Sequence, residues 1–146
     1  MFSDEYFMRE ALKEARKAFE KDEVPVGAVI VAAGNRIIAR AYNLSETLND
    51  VTAHAEMQAI TMAASFLGGK YLKECTLYVT LEPCTMCAGA LYWAQIERIV
   101  YGAPDTKRGF TLNPSSPLHP ATALTNGILE TECAALMTDF FRKKRK

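Results

Sequence analysis

Two short segments, His54-Ala55-Glu56 and Pro83-Cys84-Thr85-Met86-Cys87, with Pro83 27 residues beyond Glu56, constrain the fold of this chain more than any other feature. One imidazole and two thiolates give zinc three protein bonds and leave the fourth tetrahedral position to a water or hydroxide, the arrangement of a catalytic rather than a structural centre. Any fold adopted by the chain must therefore bring both segments into one coordination shell. Glu56 is left free to carry protons to and from that water.

The spacing supports this expectation. Residues three apart on a helix share a face, so Cys84 and Cys87 can chelate one ion from a short helix opened by Pro83. The unpaired amides and dipole of a helix N-terminus favour the thiolate form that zinc requires. Thr52 is the expected N-cap of a second helix, from about Ala53 to Leu67, with His54 in its first turn, Met57, Ile60, Ala63 and Ala64 on its inner face, and Gly68-Gly69 beyond its end. His54 and Glu56 would diverge in a regular helix, and only at its first turn can both reach past the end. Read singly, His54 could be structural and Cys-x-x-Cys a thiol–disulfide pair. The combined set favours zinc, one ion per subunit. His119, within Pro117-Leu118-His119-Pro120, is expected to face solvent without binding metal.

The remaining elements follow from periodicity. An amphipathic helix is expected over about Ser3–Lys21, from Phe7, Ala11, Leu12, Ala15, Ala18 and Phe19. The β-branched run Val24–Val31 and the segment Arg36–Tyr42 should pair as a hairpin about Gly34-Asn35. Cys75–Thr80 and Arg98–Tyr101 read as strands, Gly102–Gly127 as irregular, and Leu129–Arg142 as a last helix with Leu129, Cys133, Leu136, Met137, Phe140 and Phe141 as its stripe. Strands joined through helices imply an α/β chain, a three-layer α/β/α arrangement about a central mixed sheet. The whole span 1–146 is expected to be one domain.

Charge excludes little and locates something. The chain has 17 basic and 17 acidic residues, but five of the basic ones form the tail Arg142-Lys143-Lys144-Arg145-Lys146, leaving an acidic body. That tail is either a solvated helix end or a phosphate-contacting segment with salt-dependent affinity. No apolar run approaches the roughly 20 residues of a membrane helix, and no signal peptide is evident, so a cytoplasmic protein is expected. Cys75 and Cys133 lie in apolar segments and are expected in the core.

His54-x-Glu56 with Pro83-Cys84-x-x-Cys87 resembles the signature of the cytidine deaminase superfamily of zinc deaminases. Longer strings carry the likeness through nearly the whole chain: Glu23–Ala28, Tyr42–Leu44, Thr52–Glu56, Leu77–Cys84, Met86–Ala90, and Gly127–Leu129 through Cys133–Leu136 to Phe140-Phe141. Within the superfamily these strings resemble the bacterial tRNA-specific adenosine deaminases, which convert the wobble adenosine of an arginine tRNA anticodon to inosine. The resemblance implies that His54, Cys84 and Cys87 bind Zn2+, that Glu56 shuttles protons, that Asn43 hydrogen-bonds the flipped purine, and that Val26 lines the base pocket. An amide can donate and accept along one edge of adenine, although Asn at a strand end also suits a turn.

The same resemblance implies a homodimer acting on the anticodon stem-loop of tRNA, with Tyr92 and Trp93 as contact candidates; Trp93 could equally fill a core. Val51 replaces a proline usual in the family, and the loop after Asp105–Gly109 is shorter and richer in proline than in many relatives. The zinc signature by itself also suits a free-base or nucleoside deaminase acting on guanine, cytosine or cytidine. A non-enzymatic zinc module would need a fourth protein ligand, and a redox protein would bind no metal.

Overall fold

The computed structural model describes residues 2–145. α1 (Asp4–Glu20) leads into the hairpin β1 (Gly27–Ala32) and β2 (Arg36–Tyr42); then follow α2 (Ala55–Leu67), β3 (Thr76–Leu81), α3 (Thr85–Ala94), β4 (Arg98–Ala103), β5 (Ala123–Asn126) and α4 (Glu130–Lys144). The sheet order is β2-β1-β3-β4-β5. β1 is antiparallel to both neighbours, whereas β3, β4 and β5 run parallel. The sheet is therefore mixed, as the sequence led us to expect.

Alternation along the central strands divides the core into two layers, because successive side chains point to opposite faces of a sheet. Ala28, Ile30, Leu77, Val79, Ile99 and Tyr101 pack with Ala55, Ala59 and Ala63 of α2 and Ala88 and Leu91 of α3. Val29, Val31, Tyr78 and Val100 pack instead with Phe7, Met8, Ala11 and Leu12 of α1 and Cys133 of α4. The result is α1 and α4 on one face and α2 and α3 on the other, the three-layer α/β/α architecture. Gly27 allows α1 to sit this close, since a Cβ there would collide with the backbone at Ala11 and Ala15.

Several boundaries differ from expectation. Val24–Val26 precede β1 rather than opening it. The second helix starts at Ala55, not Ala53, because Thr52 is held in a preceding turn, its amide and hydroxyl both donating to Asp50 at 2.8 and 2.7 Å. Its buried stripe is Ala55, Glu56, Ala59 and Ala63, with Ile60 and Ala64 packed at the margin. The stretch 102–127, expected to be irregular, contains a short 3-10 turn at Phe110–Leu112 and the strand β5. β5 is a largely exposed edge strand, so it lacks the apolar signal of a central one. α4 starts one residue late and continues through Lys144; Cys133 and Phe140 are buried in it, whereas Phe141 is exposed.

The basic tail continues α4 as helix as far as Lys144, with its side chains largely exposed. Lys144 pairs with Asp22 and lies 5.7 Å from the Phe140 ring centroid, and Lys143 lies 5.4 Å from that of Phe19. Lys146 of the tail lies outside the described residues. Cys75 and Cys133 are buried and unbonded, as expected. Among the described residues, no helix is long and apolar enough to cross a membrane.

Candidate active site

The site is built where α2 and α3 begin. His54 and Cys84 are the N-cap residues of these helices, both extended, with φ/ψ of −73°/155° and −76°/174°. Neither side chain caps its helix, so the imidazole and the sulfur are directed elsewhere. Cys87 lies three residues beyond Cys84, in the first turn of α3, and is fully buried. His54 Nδ1 is 3.6 Å from Cys84 Sγ and 3.4 Å from Cys87 Sγ. The three donor atoms lie within 4.8 Å of one another.

This donor set fits a zinc ion. Two sulfurs and an imidazole nitrogen converge from two helix ends, and their proton equilibria are already intertwined. The hydrogen bond from Cys87 brings the Cys84 thiol down to about 4, with His54 adding to the effect. Cys87, the donor in that bond and buried, is pushed up. The bond to Cys84 raises His54 above its ordinary value. A divalent cation satisfies both sulfurs where a single shared proton cannot.

Glu56 occupies the second position of α2, and burial pushes its carboxyl up to about 7, against the attraction of His54. Such a group can both accept and return a proton near neutrality. The apparent conflict in the His54–Glu56 spacing disappears because His54 lies outside the helix. An extended residue followed by two helical ones does not aim its side chain as a helical residue would.

Asn43 follows β2 and is buried, 6% exposed. Its amide donates to Val26 O at 3.1 Å, which joins the two residues at one place, and the next amide, Leu44 N, donates to Ala53 O at 3.0 Å, beside His54. Gln58 clamps the same junction from α2, donating to Tyr42 O at 2.7 Å and Ala53 O at 3.2 Å. Among the described residues Asn43 Oδ1 has no hydrogen-bond partner, although it is buried. A buried amide oxygen left unpaired costs about 1–3 kcal/mol, so an orphan acceptor in this position suits a donor on a ligand. Beside His54 opens a cleft of ≈ 520 Å³, lined by Ser45, Glu46, Asn49, Asp50 and Val51 on one rim and by Arg108 on the other.

Residues 1–103 match the family described as the cytidine and deoxycytidylate deaminase zinc-binding region. The tRNA-specific adenosine deaminase of Bacillus subtilis (strain 168) is 48% identical over 151 residues, covering 100% of this chain and 93% of its own. The chain belongs to the zinc-binding deaminases of the cytidine deaminase type, in their tRNA-specific adenosine deaminase branch. A solved structure from work on A-to-I editing by tRNA:A34 deaminases at the wobble position is 48% identical, with a TM-score of 0.84 over 90% of this chain and 98% of that one. A guanine deaminase from Bacillus subtilis is 43% identical over 70% of this chain and 65% of its own, with a TM-score of 0.66.

In this deaminase, His54, Glu56, Cys84 and Cys87 lie together, and Asn43 and Val26 adjoin them through the backbone bonds at Ala53 and Val26. His119 stands apart, partly exposed at the surface: it accepts from Ala121 N at 3.0 Å and lies 5.7 Å from the Tyr92 ring. Sequence reasoning missed Arg108 as a cleft residue and Gln58 as a clamp. Arg108 had no periodicity to mark it. Gln58 carried only the weak signal of a polar residue in the first turn of a largely apolar helix.

Proposed function

We propose that the whole chain 1–146 acts as one zinc-dependent domain that hydrolyses wobble adenosine in a tRNA anticodon to inosine, releasing ammonia. The observation that carries this reading is the convergence of His54, Cys84, Cys87 and Glu56 at two helix N-termini, in a chain similar over its full length to tRNA-specific adenosine deaminases. His54, Cys84 and Cys87 would hold the zinc ion, one per subunit. Bound there, zinc supplies Lewis-acid activation of a water molecule, the fourth ligand.

The chain's own residues do the rest. Glu56 accepts the proton of the attacking water and delivers it to the departing amine nitrogen, so the purine gains oxygen at C6 and loses ammonia. Asn43 Oδ1 accepts a hydrogen bond from the extruded base, and its burial excludes water that would compete for that bond. Val26, 9% exposed, supplies an apolar wall. Arg108 provides a cation at the mouth, where an RNA backbone carries negative charge.

A free-base deaminase is the second reading, and the partial likeness to a guanine deaminase favours it. One assay separates the two. Purified protein should form inosine in an arginine tRNA anticodon stem-loop and leave free guanine, cytosine and cytidine unchanged. Turnover of a free base without turnover of the stem-loop would sink the first reading.

The same reading assigns a homodimer. Trp93, 77% exposed on α3 beside the half-exposed Tyr92, is too large an apolar surface to be a core residue and is a candidate for the contact. Light scattering should give twice the chain mass, reduced in Trp93→Glu. The free thiols and the tRNA substrate suit the cytoplasm. The basic tail contributes phosphate contacts, so its deletion should weaken RNA turnover and its salt dependence.

A further inference from the structure

The two rims of the cleft are held in the same way. Glu23, just before β1, is fully buried; its Oε1 accepts from Glu46 N at 3.2 Å, and its Oε2 accepts from Thr47 N and the Thr47 hydroxyl, both at 2.6 Å. Glu82, just after β3, is 3% exposed; its Oε1 accepts from Asp105 N at 3.1 Å, and its Oε2 from Thr111 N at 3.0 Å and the Thr111 hydroxyl at 2.7 Å. Each carboxylate thus takes two backbone amides and one threonine hydroxyl from a single loop. Thr47 belongs to the loop that supplies Ser45, Glu46, Asn49, Asp50 and Val51 to the cleft, and Asp105–Thr111 is the loop that carries Arg108.

These bonds are long-range. They join residues 23 or 24 positions apart in the first case and 23 or 29 in the second. The first rim is otherwise tied by Leu44 N on Ala53 O at 3.0 Å, and the second by the turn amides of Lys107 and Arg108 on Asp105, both at 3.0 Å, and by Phe110 N on Pro83 O at 3.0 Å. The second rim is also shaped to admit its carboxylate, because a Cβ on Gly109 would occupy the space of the Glu82 carboxyl group. Neither glutamate is aimed at the donor set of His54, Cys84 and Cys87.

We infer that Glu23 and Glu82 are paired positioning residues, one for each rim, which fix the loops that grip RNA around the reacting base. The inference rests on the RNA-deaminase reading above. A buried carboxylate accepting several hydrogen bonds is a stronger anchor than a neutral amide, which must turn a donor toward one of the loop's own N–H groups. Replacing either glutamate by glutamine should therefore loosen its own rim and leave the other in place.

Amide exchange of the RNA-free zinc protein and stem-loop kinetics test this together. In Glu82→Gln the amides of Asp105 and Thr111 should exchange faster while those of Glu46 and Thr47 do not, and Glu23→Gln should show the reverse. Loss of one charge-assisted bond corresponds to a rise in stem-loop KM of about tenfold for each variant, with kcat and zinc content held. In the double variant the two KM increases should multiply, as independent sites do. Thr111→Val and Thr47→Val, which keep the carboxylates and remove one hydroxyl each, should move KM in the same direction by less. They decide the matter if a glutamine variant fails to fold.

Unchanged exchange at the anchored amides, or an activity loss that follows zinc loss at constant KM, overturns the assignment. Failure of the RNA-deaminase reading looks different: wild-type protein would leave the stem-loop untouched, and rim positioning for RNA would fall with it whatever the exchange rates.

Discussion

The start of α1 and the starts of α2 and α3 solve the same problem in opposite ways. Ser3 caps α1 by accepting from Tyr6 N at 3.1 Å, and Asp4 and Glu5 place negative charge in its first turn. α2 and α3 have His54 and Cys84 at the equivalent position, and neither makes a side-chain cap. N-cap preference runs to Ser, Thr, Asp and Asn, so two helices forgo a contribution of about 1 kcal/mol each. What they gain is a pair of donor atoms projecting beyond helix ends into one space. α4 also lacks a side-chain cap, at Leu129, so it is the identity of the N-cap residue at α2 and α3 that sets stability and chemistry in competition for one backbone position.

The largest expected effect tests the chemical side of that contrast. Glu56→Gln keeps the size and hydrogen-bonding shape of the residue and removes the proton carrier. Inosine formation should fall by about 10² to 10⁴, the range for loss of a general acid–base group, with zinc content unchanged. Full activity in this variant would remove Glu56 from the mechanism.

Cys84→Ser sharpens the comparison by giving α3 the cap it lacks. Zinc affinity should fall by more than about 100-fold, exceeding the usual cost of disturbing a ligand's supporting contacts. The zinc-free variant should nevertheless be more stable than zinc-free wild type by about 1 kcal/mol in urea unfolding. A destabilised zinc-free variant would mean that Cys84 contributes packing which a serine cap does not replace.

At α1 the prediction reverses. Ser3→Ala should cost about 0.5–1 kcal/mol in unfolding free energy, the lower half of the capping range for an exposed site, while zinc content and turnover stay as in wild type. A loss of turnover would show that α1 and the site are coupled through the sheet.

The sequence disclosed the elements whose physics is local or repeated. Residues Arg36–Tyr42 give β2 its full span, and the buried alanines of α1 lie where the stripe puts them. The donor set was legible because metal chemistry admits few residue types and few spacings. Less visible were features set by partners distant along the chain. β5 exists through pairing with β4, since its own side chains are mostly exposed. Thr52 has the composition of an N-cap, yet Asp50 claims its hydroxyl and amide, which moves the N-cap to His54 and the helix start to Ala55 and resolves the aim of Glu56. Glu82 stood in the quoted string before Pro83-Cys84, but its role depends on Asp105 and Thr111, and no local pattern announces that contact.

The smallest effect lies again at α1. Arg98 donates to both Asp4 oxygens, at 2.9 and 2.7 Å, and Tyr78 donates to Oδ1 at 2.8 Å. The Arg98 hydrogen bond holds the Asp4 carboxyl below the ordinary aspartate range, and Tyr78 is pushed up to about 12, chiefly by burial. A carboxyl depressed in the folded state binds fewer protons folded than unfolded, so its stabilisation is complete above the unfolded pKa of about 3.9 and is lost as pH falls through the lower folded value. The stability difference between wild type and Asp4→Asn should therefore be constant from neutrality to about pH 5 and shrink below it. With both side chains about 30% exposed, the difference should stay under about 1 kcal/mol. A difference that grows on acidification would show that the carboxyl is raised on folding, and would place the strain of a buried acid at α1 as well as at the site.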